Sequence, residues 1–226
     1  MKRNYIFFVC LLGIITACEI DNYDPPNGGI YGRLIDSLTQ KNFQTQQPDG
    51  FNVRLYEKGW STNNPLTISG KPDGTFENAY LFQNEYRVSI SEGAFFPIDT
   101  MTVQVGKRTE LNVSVMPFLA LVDVDVTPSA GKLSVSYRII RDRAAGKILD
   151  RRTLVSEIPT VNNVVFDHQQ VTDLSSVPDE DILSSAFTDE ISGLASGKTY
   201  YVRVASRIQS ASGRYNYSEA VKVTLP

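Results

Sequence analysis

The chain has 226 residues, 42% of them hydrophobic, with 25 acidic against 22 basic side chains and a formal net charge of −3. That mild acidity gives no electrostatic footprint for nucleic acid. With one histidine, a Ser-His-Asp triad or a Cys-His pair would rest entirely on His168 and a multi-histidine zinc site is impossible, while carboxylate-only chemistry stays formally open.

Lys2 and Arg3, the apolar run from Tyr5 to Ile15 and the small residues after it read as a secretory signal peptide over residues 1–17, too short to span a bilayer as a helix. Its last residues, Ile15-Thr16-Ala17-Cys18, resemble the bacterial lipobox. The resemblance implies that Cys18 receives a diacylglyceryl group and becomes the new N-terminus, a multi-acylated anchor of the kind that holds stably to a membrane. The alternative is a plain secreted protein whose signal ends near Ala17. Loss of residues 1–17 leaves 209 residues, suited to two domains of about a hundred each. Cys10 leaves with the signal and Cys18 is consumed by lipid, so neither a disulfide nor a thiolate metal site is expected.

Residues 18–29 carry acid, proline and glycine with no apolar period and read as a tether. From Ile30 to Pro117 the pattern has period two: Phe51, Val53 and Leu55; Tyr86, Val88 and Ile90; Met101, Val103 and Val105; Leu111, Val113 and Val115. Pro72-Asp73-Gly74 punctuates it as a tight turn. Residues 30–117 are therefore expected to form a small antiparallel β-sandwich. Gly32-x-Leu34-x-Asp36, Phe51-x-Val53-x-Leu55, the Lys71 to Phe76 turn and Asn84-Glu85-Tyr86-Arg87-Val88 resemble the transthyretin-like or carboxypeptidase-regulatory sandwich, with Asn84-Glu85 standing where that pattern has a glycine.

Residues 118–226 begin a second alternation, Val122, Val124 and Val126 inward and Asp123 and Asp125 outward, followed by Leu133, Val135, Tyr137 and Ile139. The linker between the two is so short that a fixed angle is expected. Leu194-x-x-Gly197-x-x-Tyr200-x-Val202-x-Val204 resembles the fibronectin type III signature, with the customary core tryptophan missing, and implies an Ig-like sandwich in which Tyr200 pins a corner through its hydroxyl. In the insert from Asp173 to Phe187, Ser176 is expected to cap a short helix with Pro178 in its first turn. The spacing of its acids does not fit a calcium loop. The fold class expected is all-β, two consecutive antiparallel sandwiches.

Three places suggest binding. Trp60, the only tryptophan, sits with Asn63 and Asn64 in a Gly/Ser/Asn/Pro loop; a flat ring beside amides is the chemistry that stacks on a sugar, and the plainer alternative is that the ring folds back to cover the open end of the sandwich. Tyr215-Asn216-Tyr217 reads as a second aromatic and amide loop at a hairpin tip, with core or edge packing as the plainer use of at least one of the two tyrosines. Arg141, Arg143, Lys147, Arg151 and Arg152, with Gly146 among them, read as an arginine-decorated hairpin, either a partner patch or an edge that uses charge against unwanted strand pairing. His168 has no nucleophile near it in sequence and reads as a surface residue.

Taken whole, the chain resembles a domain-of-unknown-function family of Bacteroidetes outer-membrane lipoproteins from starch-utilisation-type loci. The resemblance implies a lipid-anchored protein on the outer membrane, facing the cell surface, with a glycan or polysaccharide, an outer-membrane transporter and a glycan-capturing lipoprotein as its partners. The function expected is non-enzymatic accessory glycan binding in polysaccharide uptake, without cofactor or metal. The alternative is a structural spacer or assembly subunit that docks other outer-membrane proteins.

Overall fold

A computed structural model describes residues 24–48, 50–60 and 64–226. Among these residues the regular secondary structure is strand apart from one short helix, and no helix is long and apolar enough to cross a membrane.

The first sandwich is built from β1 (Gly28–Asp36), β2 (Asn52–Glu57), β3 (Leu66–Ser69), β4 (Thr75–Leu81), β5 (Glu85–Ser91), β6 (Met101–Gln104) and β7 (Thr109–Val115). A three-stranded sheet ordered β4-β1-β7 covers a four-stranded one ordered β3-β2-β5-β6. Period-two alternation decides which face is buried: Val53 and Leu55, then Tyr86, Val88 and Ile90, enter the core while Arg54 and Arg87 point out. Each buried aliphatic side chain contributes about 1.5–3 kcal/mol relative to exposure. Phe43 against Phe95 (5.5 Å) and Phe51 against Phe76 (6.5 Å) meet edge to face within this core.

The Gly32-x-Leu34-x-Asp36 motif has a physical basis. Strand β7 runs parallel to β1, and a Cβ on Gly32 would lie 1.8 Å from the Leu111 carbonyl oxygen. Asp36 ends the strand by accepting the backbone N–H of Leu38 (2.7 Å) and Thr39 (3.2 Å). Burial raises its carboxyl, and those two amides oppose the rise. At the opposite end of β1, Gln83 Nε2 donates to Asn27 Oδ1 at 2.9 Å, fastening the residues before the strand to the turn after β4.

The second sandwich holds β8 (Ala120–Ser129), β9 (Lys132–Ile140), β10 (Ile148–Ser156), β11 (His168–Asp173), α1 (Asp179–Ser184), β12 (Ala186–Ser192), β13 (Thr199–Ile208), β14 (Asn216–Tyr217) and β15 (Val221–Thr224). Its sheets are β12-β9-β8 and β11-β10-β13, the latter with both β14 and β15 on β13. Tyr200 is buried at the start of β13 and its hydroxyl accepts the Ala195 N–H at 3.1 Å, a tyrosine corner. In place of a core tryptophan, fully buried Tyr137 packs on Phe187 and donates to Asp189 Oδ2 at 3.0 Å.

Two local expectations are corrected. Strands β9 and β10 lie in opposite sheets, so residues 141–147 cross the end of the sandwich and form no hairpin. Helix α1 starts after Pro178 with no side-chain cap, and Ser176 does not serve it. The Asp179 carboxylate in its first turn instead accepts from Arg141 (2.9 Å), Lys147 (2.8 Å) and the Ile148 N–H (3.3 Å). Burial alone would raise this carboxyl, but those donors outweigh it and hold it below the usual carboxylate range.

Candidate functional site

The best-formed exposed aromatic surface lies on the first sandwich. Trp60 is 74% exposed, Tyr80 80% and Phe82 45%. Together with Leu55, Glu57, Asn64, Leu66, Leu81 and Tyr86 they line a recess of about 300 Å³, at the small end of ligand-pocket sizes.

Local backbone features set each ring in place. After β2 the chain turns through Gly59 (φ 87°), and the Trp60 N–H donates to the Glu57 carbonyl at 3.2 Å, leaving the indole outside the sheet. On β4 the register slips against β1: Gly28 faces Leu81 and Ile30 faces Asn78, so one extra residue is accommodated as a bulge. The Asn78 side chain accepts the Tyr80 N–H at 2.8 Å across it. The bulge reverses the alternation beyond Asn78, turning Leu81 into the core and Tyr80 and Phe82 outward.

The floor is polar and ordered. The Tyr86 hydroxyl donates to the Phe82 carbonyl at 3.0 Å. Its pKa is pushed up to about 12, by burial first and then by the nearby Glu57 charge. Asn84, the departure from the usual glycine, donates to Glu57 Oε1 (3.0 Å) and the Lys58 carbonyl (3.1 Å) and accepts the Glu85 N–H (2.8 Å). It thereby orients the Glu57 carboxylate. Lys58 turns to Glu85 at 3.0 Å.

The structure brings Trp60 and Asn64 to this recess, and Asn63 and Cys18 lie outside the described residues. Tyr80 and Phe82 were missed by the sequence reading. The Tyr215-Asn216-Tyr217 segment is corrected: all three residues are buried, and none lies at an exposed loop tip. Asn216 donates to the Ala94 carbonyl (2.8 Å) and accepts the Leu119 N–H (3.1 Å), joining the two sandwiches. The Tyr217 hydroxyl bonds Asn163 and lies 3.4 Å from Gln46 Oε1. Tyr215 donates to Asp150 at 3.2 Å beneath the guanidinium groups of Arg152 (4.9 Å) and Arg207 (5.1 Å).

The arginine patch is also corrected, because each cation is occupied within the fold. Arg141 and Lys147 pair with Asp179, and Arg143 covers the Phe96 ring at 3.9 Å. Arg151 pairs with buried Asp189 at 2.5 Å and Arg152 with Asp150 at 3.3 Å. His168 is half-buried at the start of edge strand β11. Among the described residues no group of three or more His, Cys, Asp or Glu is placed to hold a metal.

Sequence reasoning also missed Arg203, which is 3% exposed where the sandwiches meet. It donates to the carbonyls of Ser218 (2.8 Å), Thr45 (2.9 Å), Val161 (3.2 Å) and Pro72 (3.5 Å) and to Gln44 Oε1 (3.3 Å), and it stacks 4.4 Å over Tyr217. Desolvation lowers its pKa to about 10, so it stays charged at neutral pH. The linker is clamped as well. Phe118 packs against both cores and meets Phe96 edge to face at 5.2 Å.

No curated protein matches the chain. Among solved structures it is similar to a DUF3823 family protein from Bacteroides uniformis ATCC 8492, with 24% identity and a TM-score of 0.76 over 89% of this chain and 100% of that one. A DUF3823 family protein from Parabacteroides merdae ATCC 43184 gives 21% and 0.75 over 89% and 100%. A third structure, from Bacteroides uniformis ATCC 8492 and named as a candidate carbohydrate-binding protein, gives 18% and 0.75 over 88% and 100%. At these identities the likeness establishes the fold. Residues 28–116 match the N-terminal domain model of DUF3823, a family described as proteins of unknown function. The first sandwich is thus similar to the DUF3823 N-terminal domain, and the chain as a whole has the β-sandwich fold of solved DUF3823 proteins.

Proposed function

We propose that this chain is a non-enzymatic, lipid-anchored protein of the outer-membrane surface that binds glycan as an accessory to polysaccharide uptake. The observation that carries the reading is the exposure of Trp60, Tyr80 and Phe82 around one recess, with the Asn64 amide and the Glu57 carboxylate beside them. A pyranose offers an apolar C–H face that stacks on an aromatic ring and a hydroxyl rim that needs amide and carboxylate partners. The similar structure named for carbohydrate binding supports the same reading. The lipid anchor is carried by the Ile15 to Cys18 motif alone, and mass spectrometry of the native N-terminus tests it.

The deciding experiment is titration of residues 19–226 with a glycan panel by calorimetry. Binding by the parent that falls on Trp60→Ala supports the reading, and silence across the panel removes it. A second reading, a rigid spacer that positions other outer-membrane proteins, is favoured by the Arg203 and Phe118 clamp between the sandwiches. Co-purification of a transporter with the Trp60→Ala variant, undiminished by loss of glycan binding, would select it.

A further inference from the structure

The recess has an electrostatic character that narrows its ligand. Among the described residues that line it, Glu57 is the only ionisable acid or base apart from the phenols of Tyr80 and Tyr86. No ion pair neutralises Glu57 among the described residues, since Lys58, next to it in sequence, is taken by Glu85. The Asn84 amide and the Tyr86 phenol neighbour the carboxylate, and neither brings a positive charge. Arg87, the next cation along β5, points to the other face of the sheet and lies 4.4 Å over Tyr56. Ser61, Thr62 and Asn63, which complete the Trp60 loop in sequence, carry no charge.

Such a site discriminates by sign. An ionised carboxylate is an acceptor only, and its bonds to hydroxyl donors are about twice as strong as those between neutral groups. A polyol therefore supplies what Glu57 lacks. A uronate or a sulfate ester seated on the same rings would place a second negative charge beside Glu57 in a partly desolvated recess, where the repulsion is screened less than in water. The apolar and polar parts then act together, the rings providing affinity for any pyranose face and Glu57 rejecting the acidic ones.

We propose that the Trp60–Tyr80–Phe82 recess selects neutral saccharides over uronate-bearing or sulfated ones, with Glu57 as the residue that sets the preference. The inference rests on the glycan-binding reading above. The test is calorimetric titration of residues 19–226 and of Glu57→Gln with matched oligosaccharides: cellohexaose, xylohexaose, mannohexaose and maltohexaose against hexagalacturonate and a sulfated hexaose. Glu57→Gln keeps the oxygen that accepts from Asn84, so the recess stays formed.

The expected result is binding of at least one neutral hexaose by the parent, about tenfold or more tighter than any acidic one at low salt. The gap should narrow as salt is raised and the repulsion is screened. Glu57→Gln should weaken the neutral ligand and close most of the gap. A parent that prefers the acidic oligosaccharides, or a Glu57→Gln variant with an unchanged ratio, overturns the selectivity while leaving glycan binding in place. Absence of binding to every saccharide overturns both, as does a Trp60 emission shift seen only with lipid vesicles.

Discussion

Arg203 on strand β13 donates from Nη1 to the backbone carbonyl of Thr45, 2.9 Å away in the other sandwich. A guanidinium satisfied by oxygens from both domains, with no carboxylate to neutralise it among the described residues, makes the junction part of the folded structure. Arg203→Ala would leave the carbonyls of Thr45 and Val161 without this donor and is expected to cost about 3 kcal/mol or more. Scanning calorimetry should show one cooperative transition in the parent and two in the variant. A single unshifted transition would show that the clamp couples nothing.

The exposed rings are expected to matter for binding and little for folding. Trp60→Ala and Tyr80→Ala should each reduce glycan affinity about tenfold while moving stability by no more than about 0.5 kcal/mol, the usual range for surface substitutions. Loss of several kcal/mol by either variant would mean that the ring covers the end of the sandwich and is no platform.

Asp189 draws together groups from both sheets of the second sandwich. Tyr137 lies beside it in its own sheet, and Thr153 (2.7 Å) and Arg151 (2.5 Å) reach it from strand β10. Asp189→Ala strands a largely buried guanidinium and should destabilise by about 3–5 kcal/mol. Replacing the pair by hydrophobic residues, Arg151→Met with Asp189→Leu, should recover most of that loss in urea denaturation.

Tyr215 sets an alkaline limit. Burial first, and the Asp150 charge next, push its phenol up to about 12, so the folded state favours the protonated form. Because the folded value is raised, the contribution is complete below the unfolded value of about 10 and disappears as pH climbs through about 12. Urea midpoints followed from pH 8 to 11.5 should fall above pH 10 in the parent and fall less steeply in Tyr215→Phe. Parallel curves would refute this.

Gly32 leaves no room for substitution. A methyl group there would meet the Leu111 carbonyl, which is backbone and cannot rotate away. Gly32→Ala should cost about 2 kcal/mol or more by forcing β1 and β7 apart, read as a drop in the thermal midpoint.

Regular alternation made the two sandwiches legible in the sequence, because wherever pairing is unbroken the parity of a residue decides its face: Leu133, Val135, Tyr137 and Ile139 are all buried. What escaped lies where parity or partnership is set from outside the strand. In Phe76 to Phe82 a strict period of two assigns Tyr80 and Phe82 to the core with Phe76, and only the bulge opposite β1 reverses them. Tyr215 to Tyr217 has a loop's composition, yet the two tyrosines pack in a buried cluster with Leu154, Val161 and Ala205, and Asn216 reaches the Ala94 carbonyl of the first sandwich. Arg141, Lys147 and Arg151 looked free because Asp179 and Asp189, their partners, are distant in sequence. Arg203 sits in a strand where only a second domain explains a buried charge.

The bond between Gln83 and Asn27 has a mechanical consequence. It secures the leading segment one residue from Phe82, at the end of β1 away from the domain junction, and that strand of nine residues spans about 30 Å. Force transmitted along the leading segment arrives first at the rim that bears the rings. The second sandwich is clamped beyond the opposite end, so under the proposed reading, a chain hung from Cys18 that binds glycan at the rings, cargo and point of suspension share one pole of the molecule.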